Sequence, residues 1–275
     1  MRIMIYIGKY EDYALAKLII NRLSSNGVEI VAARDVEVKN LGVPRWDGAQ
    51  GVDIAMVIGG DGTVLRFLHE IINSTDIPIF HVGTGRVNYL SDVSARELPQ
   101  VLDKIVKGEY TIEERLTLKA IAVDFECTAL NEVLVKGVDP GHLINVTIVE
   151  NSGEELIRAR MDGVIIATPT GSTAYALAAG GPAVDIRLAV KLIVPLAPFS
   201  RALVPIIHPY EIPIKVLTSE VLTYSVTALL RRGVPRYVLR RVTGGLGLSG
   251  LVSIGCMIGC LGGYSYHEPW GYCDT

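Results

Sequence analysis

Gly59-Gly60-Asp61-Gly62-Thr63 stands where an apolar run, Asp53 to Ile58, passes into a helical pattern beginning at Val64. Glycines let main-chain N–H groups approach an anion closely, and the following helix adds its unpaired N–H groups and positive dipole end. The segment is therefore a candidate phosphate loop. A carboxylate inside such a loop repels phosphate unless it accepts a proton from an attacking hydroxyl or holds a metal, so Asp61 needs one of those roles. The bland alternative is a Gly/Asp turn after a strand, and only context separates the two.

A second loop supplies context. Asp162 to Ala167 reads as a buried strand, and Thr168-Pro169-Thr170-Gly171-Ser172-Thr173-Ala174-Tyr175 follows it into the Ala-rich stretch Ala176 to Ala179 and Gly180-Gly181-Pro182. Hydroxyls packed around one glycine suit phosphate or ribose oxygens, although the same residues serve as a helix N-cap cluster. Between the loops lies Asn131-Glu132, preceded by Thr128-Ala129-Leu130 and followed by Val133-Leu134-Val135. A carboxylate beside an amide can accept from both hydroxyls of a ribose, whereas an isolated dipeptide of this kind is ordinarily a solvent-exposed turn.

These three elements, in this order, resemble the NAD kinase family. Gly59 to Thr63 is similar to its Gly-Gly-Asp-Gly-Thr motif, Asn131-Glu132 to its Asn-Glu motif, and Thr168 to Tyr175 to its Thr-Pro-Thr-Gly-Ser-Thr-Ala-Tyr loop. The likeness continues through Gly180-Gly181-Pro182 and Pro195 to Arg201, has an archaeal character, and covers roughly the first three quarters of the chain. It implies phosphorylation of the adenosine-ribose 2′-hydroxyl of NAD, with ATP or polyphosphate as donor and Mg²⁺ or another divalent cation held mainly through the donor phosphates. Asp61 would be the general base, and Gly59, Gly60, Gly62 and Thr63 would cradle phosphate, with Arg66 one turn into the helix in reach of it. Asn131 and Glu132 would hold a ribose or the adenine side. Asp162 would meet the nicotinamide end, Thr170, Thr173, Ala174 and Tyr175 would line the dinucleotide pocket, and Tyr89 would form an aromatic wall. A homodimer or homotetramer is implied as well.

Two departures stand out. Where the family usually reads Asn-Thr-Gly-Arg-Leu-Gly-Phe-Leu, this chain has Gly83-Thr84-Gly85-Arg86-Val87-Asn88-Tyr89-Leu90. Gly83 thus removes an amide, worth about 1 kcal/mol if it made a neutral hydrogen bond to ligand. Beyond about Thr218 the family's closing β pattern is not legible. Val242 to Tyr266 holds no charged residue, is rich in glycine, and follows Arg231, Arg232, Arg236, Arg240 and Arg241. The length and basic flank suit a membrane span, but the glycines make a poor spanning helix. A divergent or disordered tail, or a stretch read in another frame, is the expectation. Cys256, Cys260, His267 and Cys273 have zinc-ligand chemistry but no customary ligand spacing, so no metal site is assigned.

The elements that must position these residues follow from periodicity. Arg2 to Ile7, Val28 to Ala33, Asp53 to Ile58 and Ile77 to Val82 read as buried strands, and Tyr13 to Leu23 as an amphipathic helix. Strands separated by helices predict a parallel sheet covered on both faces, with ligands at the carboxyl ends. Ser91 to Glu109 reads as a helix interrupted by Pro99. Thr117 to Phe125, Leu143 to Glu150, Leu156 to Arg160 and Ile212 to Leu217 read as strands. The expected fold is an α/β N-terminal domain with a parallel sheet (1–95) and a β-rich C-terminal domain (96–275) whose tail is atypical from about 218, the ligand lying in the cleft between them.

Composition agrees with a packed enzyme. Of 275 residues 49% are hydrophobic and 20% charged, which excludes wholesale disorder. A net charge of -3 gives no bulk attraction to nucleic acid or anionic lipid. No signal-peptide pattern and no disulfide framework favour a reducing cytoplasm. Two rivals stay open: a lipid or sphingoid-base kinase, which is not expected to keep Asn131-Glu132 with the Thr168 to Tyr175 loop, and a dinucleotide-binding module without turnover.

Overall fold

The computed structural model describes residues 1–48, 51–71, 77–85, 88–91, 93, 97–122, 125–137, 141–218, 226–230 and 252–256. The first part alternates strands and helices: β1 (Arg2–Ile7), α1 (Tyr13–Ser24), β2 (Glu29–Ala32), α2 (Asp35–Leu41), β3 (Ile54–Gly59), α3 (Asp61–Ile71) and β4 (Ile79–Gly83). The strands form a parallel sheet in the order β2-β1-β3-β4. Both faces are covered, which is why β1 and β3 are apolar at nearly every position. Ile3, Ile5 and Ile7 point one way, toward Ala16, Ile19, Ile20 and Leu23 of α1, whose spacing is that of one helix face. Met4 and Tyr6 point the other way, toward Val64, Phe67 and Leu68 of α3.

The helix expected over Ser91 to Glu109 is shorter, α4 (Leu98–Val106). Pro99 lies in its first turn, where a missing N–H breaks no hydrogen bond, so proline begins this helix rather than interrupting it. Leu98, Leu102 and Ile105 pack into the α1 side of the parallel sheet.

The rest is antiparallel: β5 (Leu118–Ala122), β6 (Phe125–Ala129), β7 (Glu132–Gly137), β8 (Ile144–Glu150), β9 (Glu155–Met161), β10 (Gly163–Ala167), α5 (Tyr175–Ala178), β11 (Val190–Leu196), β12 (Ile206–Pro209), β13 (Ile214–Thr218), β14 (Val226–Leu230) and β15 (Val252–Cys256). One sheet runs β12-β11-β10-β7-β15 and the other β6-β5-β14-β13-β8-β9. They face each other across a core of Val133, Val135, Val164, Ile166 and Ile193 on one side and Leu118, Ala120, Val146, Ile148 and Val216 on the other. The outer face of the five-stranded sheet, Leu134, Ile165, Leu192 and Val194, is covered by Ala176 of α5 and its neighbours. The run read as one strand over Thr117 to Phe125 is a hairpin of β5 and β6. Past Thr218, β14 joins β13 to β5 and β15 pairs with β7, so this region contributes strands to both sheets. Cys260, His267 and Cys273, and most of Val242 to Tyr266, lie outside the described residues. Among the described residues no helix is long and apolar enough to cross a membrane.

Candidate active site

The carboxyl ends of β1, β3 and β4 meet at the first glycine loop. Gly59 closes β3 with φ +150°, a conformation side chains rarely adopt, and a Cβ there or at Gly8 would collide with the side chain of Thr63. Thr63 is buried as a wedge between two strand ends, and its N–H donates to the Gly60 carbonyl at 2.8 Å. Its amide is thus engaged within the protein, and its hydroxyl is turned toward Gly8 and Gly59. A Cβ at Gly60 or Gly62 would meet nothing within 4 Å, so the open N-terminal turn of α3 is the part of the loop free to receive an anion.

Asp61 begins α3 with its side chain 26% exposed. Its Oδ2 accepts the Tyr89 N–H at 3.0 Å and its Oδ1 the Leu90 N–H at 3.3 Å, which ties the helix start to the turn after β4. Beneath it His81 is 2% exposed. His81 Nε2 lies 2.8 Å from the Gly59 carbonyl oxygen and Nδ1 lies 3.9 Å from Asp61 Oδ1. Burial pushes the imidazole below its ordinary value, against the opposing pull of the Gly59 carbonyl, the Asp61 charge and the Leu90 main chain. Sequence reasoning missed this residue. The available signal was a histidine inside the apolar run Ile79-Phe80-His81-Val82.

The expected loss of an amide at Gly83 has a spatial counterpart. A Cβ on Gly83 would come within 2.7 Å of Asn88 Cγ and 2.8 Å of Ser91 Cβ. The Asn88 side chain fills that space, its Nδ2 donating to the Gly85 carbonyl at 2.7 Å and its Oδ1 accepting the Gly85 N–H at 3.2 Å. The amide is relocated in sequence, from position 83 to 88, and stands beside Gly83 in space. Tyr89 is 61% exposed on the same turn. Arg66, half-buried on α3, acts on the Tyr6 phenol together with Arg34 and Glu70, toward the β1 side of the loop.

The second group forms where β10 ends beside the start of β7, with Ala167 opposite Glu132. The Thr168 N–H donates to the Asn131 carbonyl at 2.8 Å and its hydroxyl to the Leu130 carbonyl, while the Gly171 N–H donates back to Thr168 Oγ1 at 3.0 Å. A Cβ on Gly171 would collide with the Asn131 backbone, so glycine permits the close approach of loop and strand. Several hydroxyls are consumed within the loop: Ser172 Oγ donates to the Pro169 carbonyl at 2.7 Å, and Thr170 Oγ1 accepts from Arg115 Nη1 at 3.2 Å. Thr173 is exposed, with Ala174 and Tyr175 partly so. Arg115, buried and paired with Glu113, carried no sequence signal.

Asn131-Glu132 is no exposed turn: Asn131 is half-buried, and Glu132 is 1% exposed at the start of β7. Among the described residues no donor reaches its Oε2, and burial pushes its carboxyl up to about 8. Asp162 sits apart. It is exposed at the opposite end of β10, about 20 Å from Thr168 at the usual strand rise, so the structure does not gather it with the loop.

Residues 16–110 match the family model described as the ATP-NAD kinase N-terminal domain, and residues 130–231 that of the ATP-NAD kinase C-terminal domain. Among curated proteins, an NAD kinase of Thermococcus sibiricus is 39% identical over 194 residues, 70% of this chain and 69% of that protein. An NAD kinase of Thermococcus kodakarensis is 38% identical over 213 residues, 73% of each chain. Among solved structures, an Archaeoglobus fulgidus NAD kinase in complex with ATP superposes with a TM-score of 0.70 at 27% identity, covering 88% of this chain and 94% of that one. Yeast NADH kinase complexed with NADH has the same fold, with a TM-score of 0.74 at 22% identity over 89% of this chain and 83% of that one. With both domain models matched in order and such identity across two thirds of its relatives' length, this chain belongs to the NAD kinase family.

Proposed function

We propose that the protein transfers the γ-phosphoryl group of ATP to the adenosine-ribose 2′-hydroxyl of NAD, with Asp61 taking the proton from the attacking oxygen. The observation that carries this reading is the placement of Asp61: a partly exposed carboxylate at the open N-terminus of α3, clamped by two main-chain donors of the next turn. Such clamping supplies the orientation that phosphoryl transfer needs, because that chemistry depends on positioning and charge stabilisation. The N–H groups at Gly60 and Gly62 receive donor phosphate. Asn131 and Glu132 take the ribose or adenine side, with Thr173, Ala174, Tyr175 and the outward ring of Tyr89 as pocket wall. Gly59, Thr63 and Thr170 act on the ligand through the backbone they hold in place.

A divalent cation such as Mg²⁺ fits here only if its ligands come chiefly from phosphate and water, since among the described residues no group of three or more His, Cys, Asp or Glu converges to hold a metal. Bound that way, it neutralises phosphate charge while the chain fixes the phosphates. Polyphosphate would meet the same main-chain donors. We read the protein as cytoplasmic and as a homodimer or homotetramer; exposed Phe199, Val204 and Ile207 around β12 support self-association.

The test is NADP formation from NAD with ATP and, separately, polyphosphate, in wild type and Asp61→Asn. The variant is expected to lose about 10²- to 10⁴-fold in kcat. Wild-type kcat in Asp61→Asn removes the residue from the reaction, and tight NAD binding without NADP formation under either donor indicates a binding module.

A further inference from the structure

The loop chemistry above leaves one buried polar group unused. His81 lies at the edge of the parallel sheet, directly beneath Asp61. Because a carbonyl only accepts, the 2.8 Å contact with Gly59 requires the hydrogen on His81 Nε2, and in the neutral ring Nδ1 is then a bare lone pair. That nitrogen is buried, meets no partner in full hydrogen-bond geometry among the described residues, lies toward the Leu90 main chain, and faces Asp61 Oδ1 at 3.9 Å. Two acceptors facing each other, one of them buried, form an arrangement that one proton between them would satisfy. A histidine held merely by packing would gain from an apolar replacement, which would leave no ring nitrogen unpaired.

We propose that His81 is a positioning residue for the general base, presenting Nδ1 to Asp61 and taking up the proton that Asp61 removes from the ribose hydroxyl. This rests on Asp61 being the acceptor. In the step, the ribose O–H bond breaks as its oxygen bonds to the γ-phosphorus, and the bond from that phosphorus to the departing diphosphate oxygen breaks. The proton passes to Asp61 and then to His81 Nδ1, leaving a carboxylate beside an imidazolium. It returns to water through Asp61, whose side chain is partly exposed. The 3.9 Å gap closes to hydrogen-bond length with a shift of about 1 Å, within the tightening usual when an apo site receives substrate. Among the described residues the groups facing the ring are the Gly59 carbonyl from β3, the Asp61 carboxylate from α3 and the Leu90 main chain from the following turn, and of these Asp61 carries the charge.

The test compares wild type, His81→Gln and Asp61→Asn. Gln keeps a donor for the Gly59 carbonyl but cannot accept the proton. His81→Gln should lower kcat about 10- to 100-fold, leave KM for NAD within about twofold, and move the acid limb of kcat to lower pH because no imidazole must then be neutral. Unchanged kcat and an unchanged acid limb in His81→Gln would overturn the proposal while leaving Asp61 as the base. Wild-type kcat in Asp61→Asn would instead overturn the reading of the base itself. If His81→Gln does not fold, ¹⁵N NMR of the wild-type imidazole decides: an Nε2–H tautomer whose titration midpoint falls in Asp61→Asn is expected, and an Nδ1–H tautomer or an unmoved midpoint overturns it.

Discussion

Glu132 combines ligand chemistry with a penalty in the folded state. The carboxyl is buried, one oxygen meets no donor among the described residues, and burial pushes its pKa from the ordinary 4.5 up to about 8. Between pH 4.5 and about 8 the native protein keeps a proton that the unfolded chain has released, so stability falls as pH rises through that window and stays low above it. Glu132→Gln removes the titration. Its melting temperature should exceed wild type at pH 8.5, by a stability of about 1–3 kcal/mol, and the two should converge near pH 5. The same change should weaken NAD binding by about 0.5–1.5 kcal/mol below pH 8, where the carboxyl is protonated and at most a neutral hydrogen bond is lost. Parallel melting-temperature curves from pH 5 to 8.5 would show that the buried carboxyl carries no such penalty. Asp61 behaves differently at this scale. Because both its oxygens accept main-chain N–H groups, an asparagine turns one donor toward another, so Asp61→Asn also loosens the 88–91 turn.

Elements here are joined by glycines that let two backbones approach. The turn after β4 is a coupled pair in which Gly83 leaves room that the Asn88 amide fills. Gly83→Asn alone should clash with Asn88 and lower stability by about 1–3 kcal/mol, the usual range for overpacking. Gly83→Asn with Asn88→Gly should recover most of that loss, with a coupling energy of about 0.5–3 kcal/mol in a double-mutant cycle read by urea unfolding. Simple additivity would show that the two positions do not share the space. In the second loop Gly171→Ala presses against the Asn131 backbone, which has no rotamer to yield. NAD affinity and melting temperature should therefore fall together in that variant, whereas Thr173→Ala, at an exposed position, should lower affinity alone.

For the whole molecule, the strands past Thr218 decide what a truncation does. β14 stands between β5 and β13 inside the six-stranded sheet, and β15 covers the edge of β7, the strand that carries Glu132. A chain ending at 230 loses β15 and bares an apolar edge, which invites association. A chain ending at 218 also loses β14 and divides one sheet in two. We expect the first to fold with a lower melting temperature and a higher apparent mass by size exclusion, and the second to show no cooperative melt. A full-length melting profile from the 218-residue chain would make both strands dispensable.

The parallel strands were legible because burial on both faces leaves near-continuous apolar runs at Arg2 to Ile7 and Ile54 to Gly59, a pattern that local sequence carries by itself. The two glycine loops were legible too, since their residue types are set by close backbone approach and anion chemistry. Pro99 misled because proline opens a helix as readily as it ends one. The antiparallel half was read less well: β7 and the strands past Thr218 gain their identity from partners far away in the chain. Tertiary structure alone decided that Thr63 is a wedge, that most hydroxyls of the second loop are spent inside it, and that Glu132 is buried. It alone brought His81 beneath Asp61 and Arg115 against Thr170. Sequence by itself determined the residue types and backbone freedom of the site and so the family; which polar atoms remain available for chemistry depends on long-range packing, because hydrogen-bond partners are chosen in space and not along the chain.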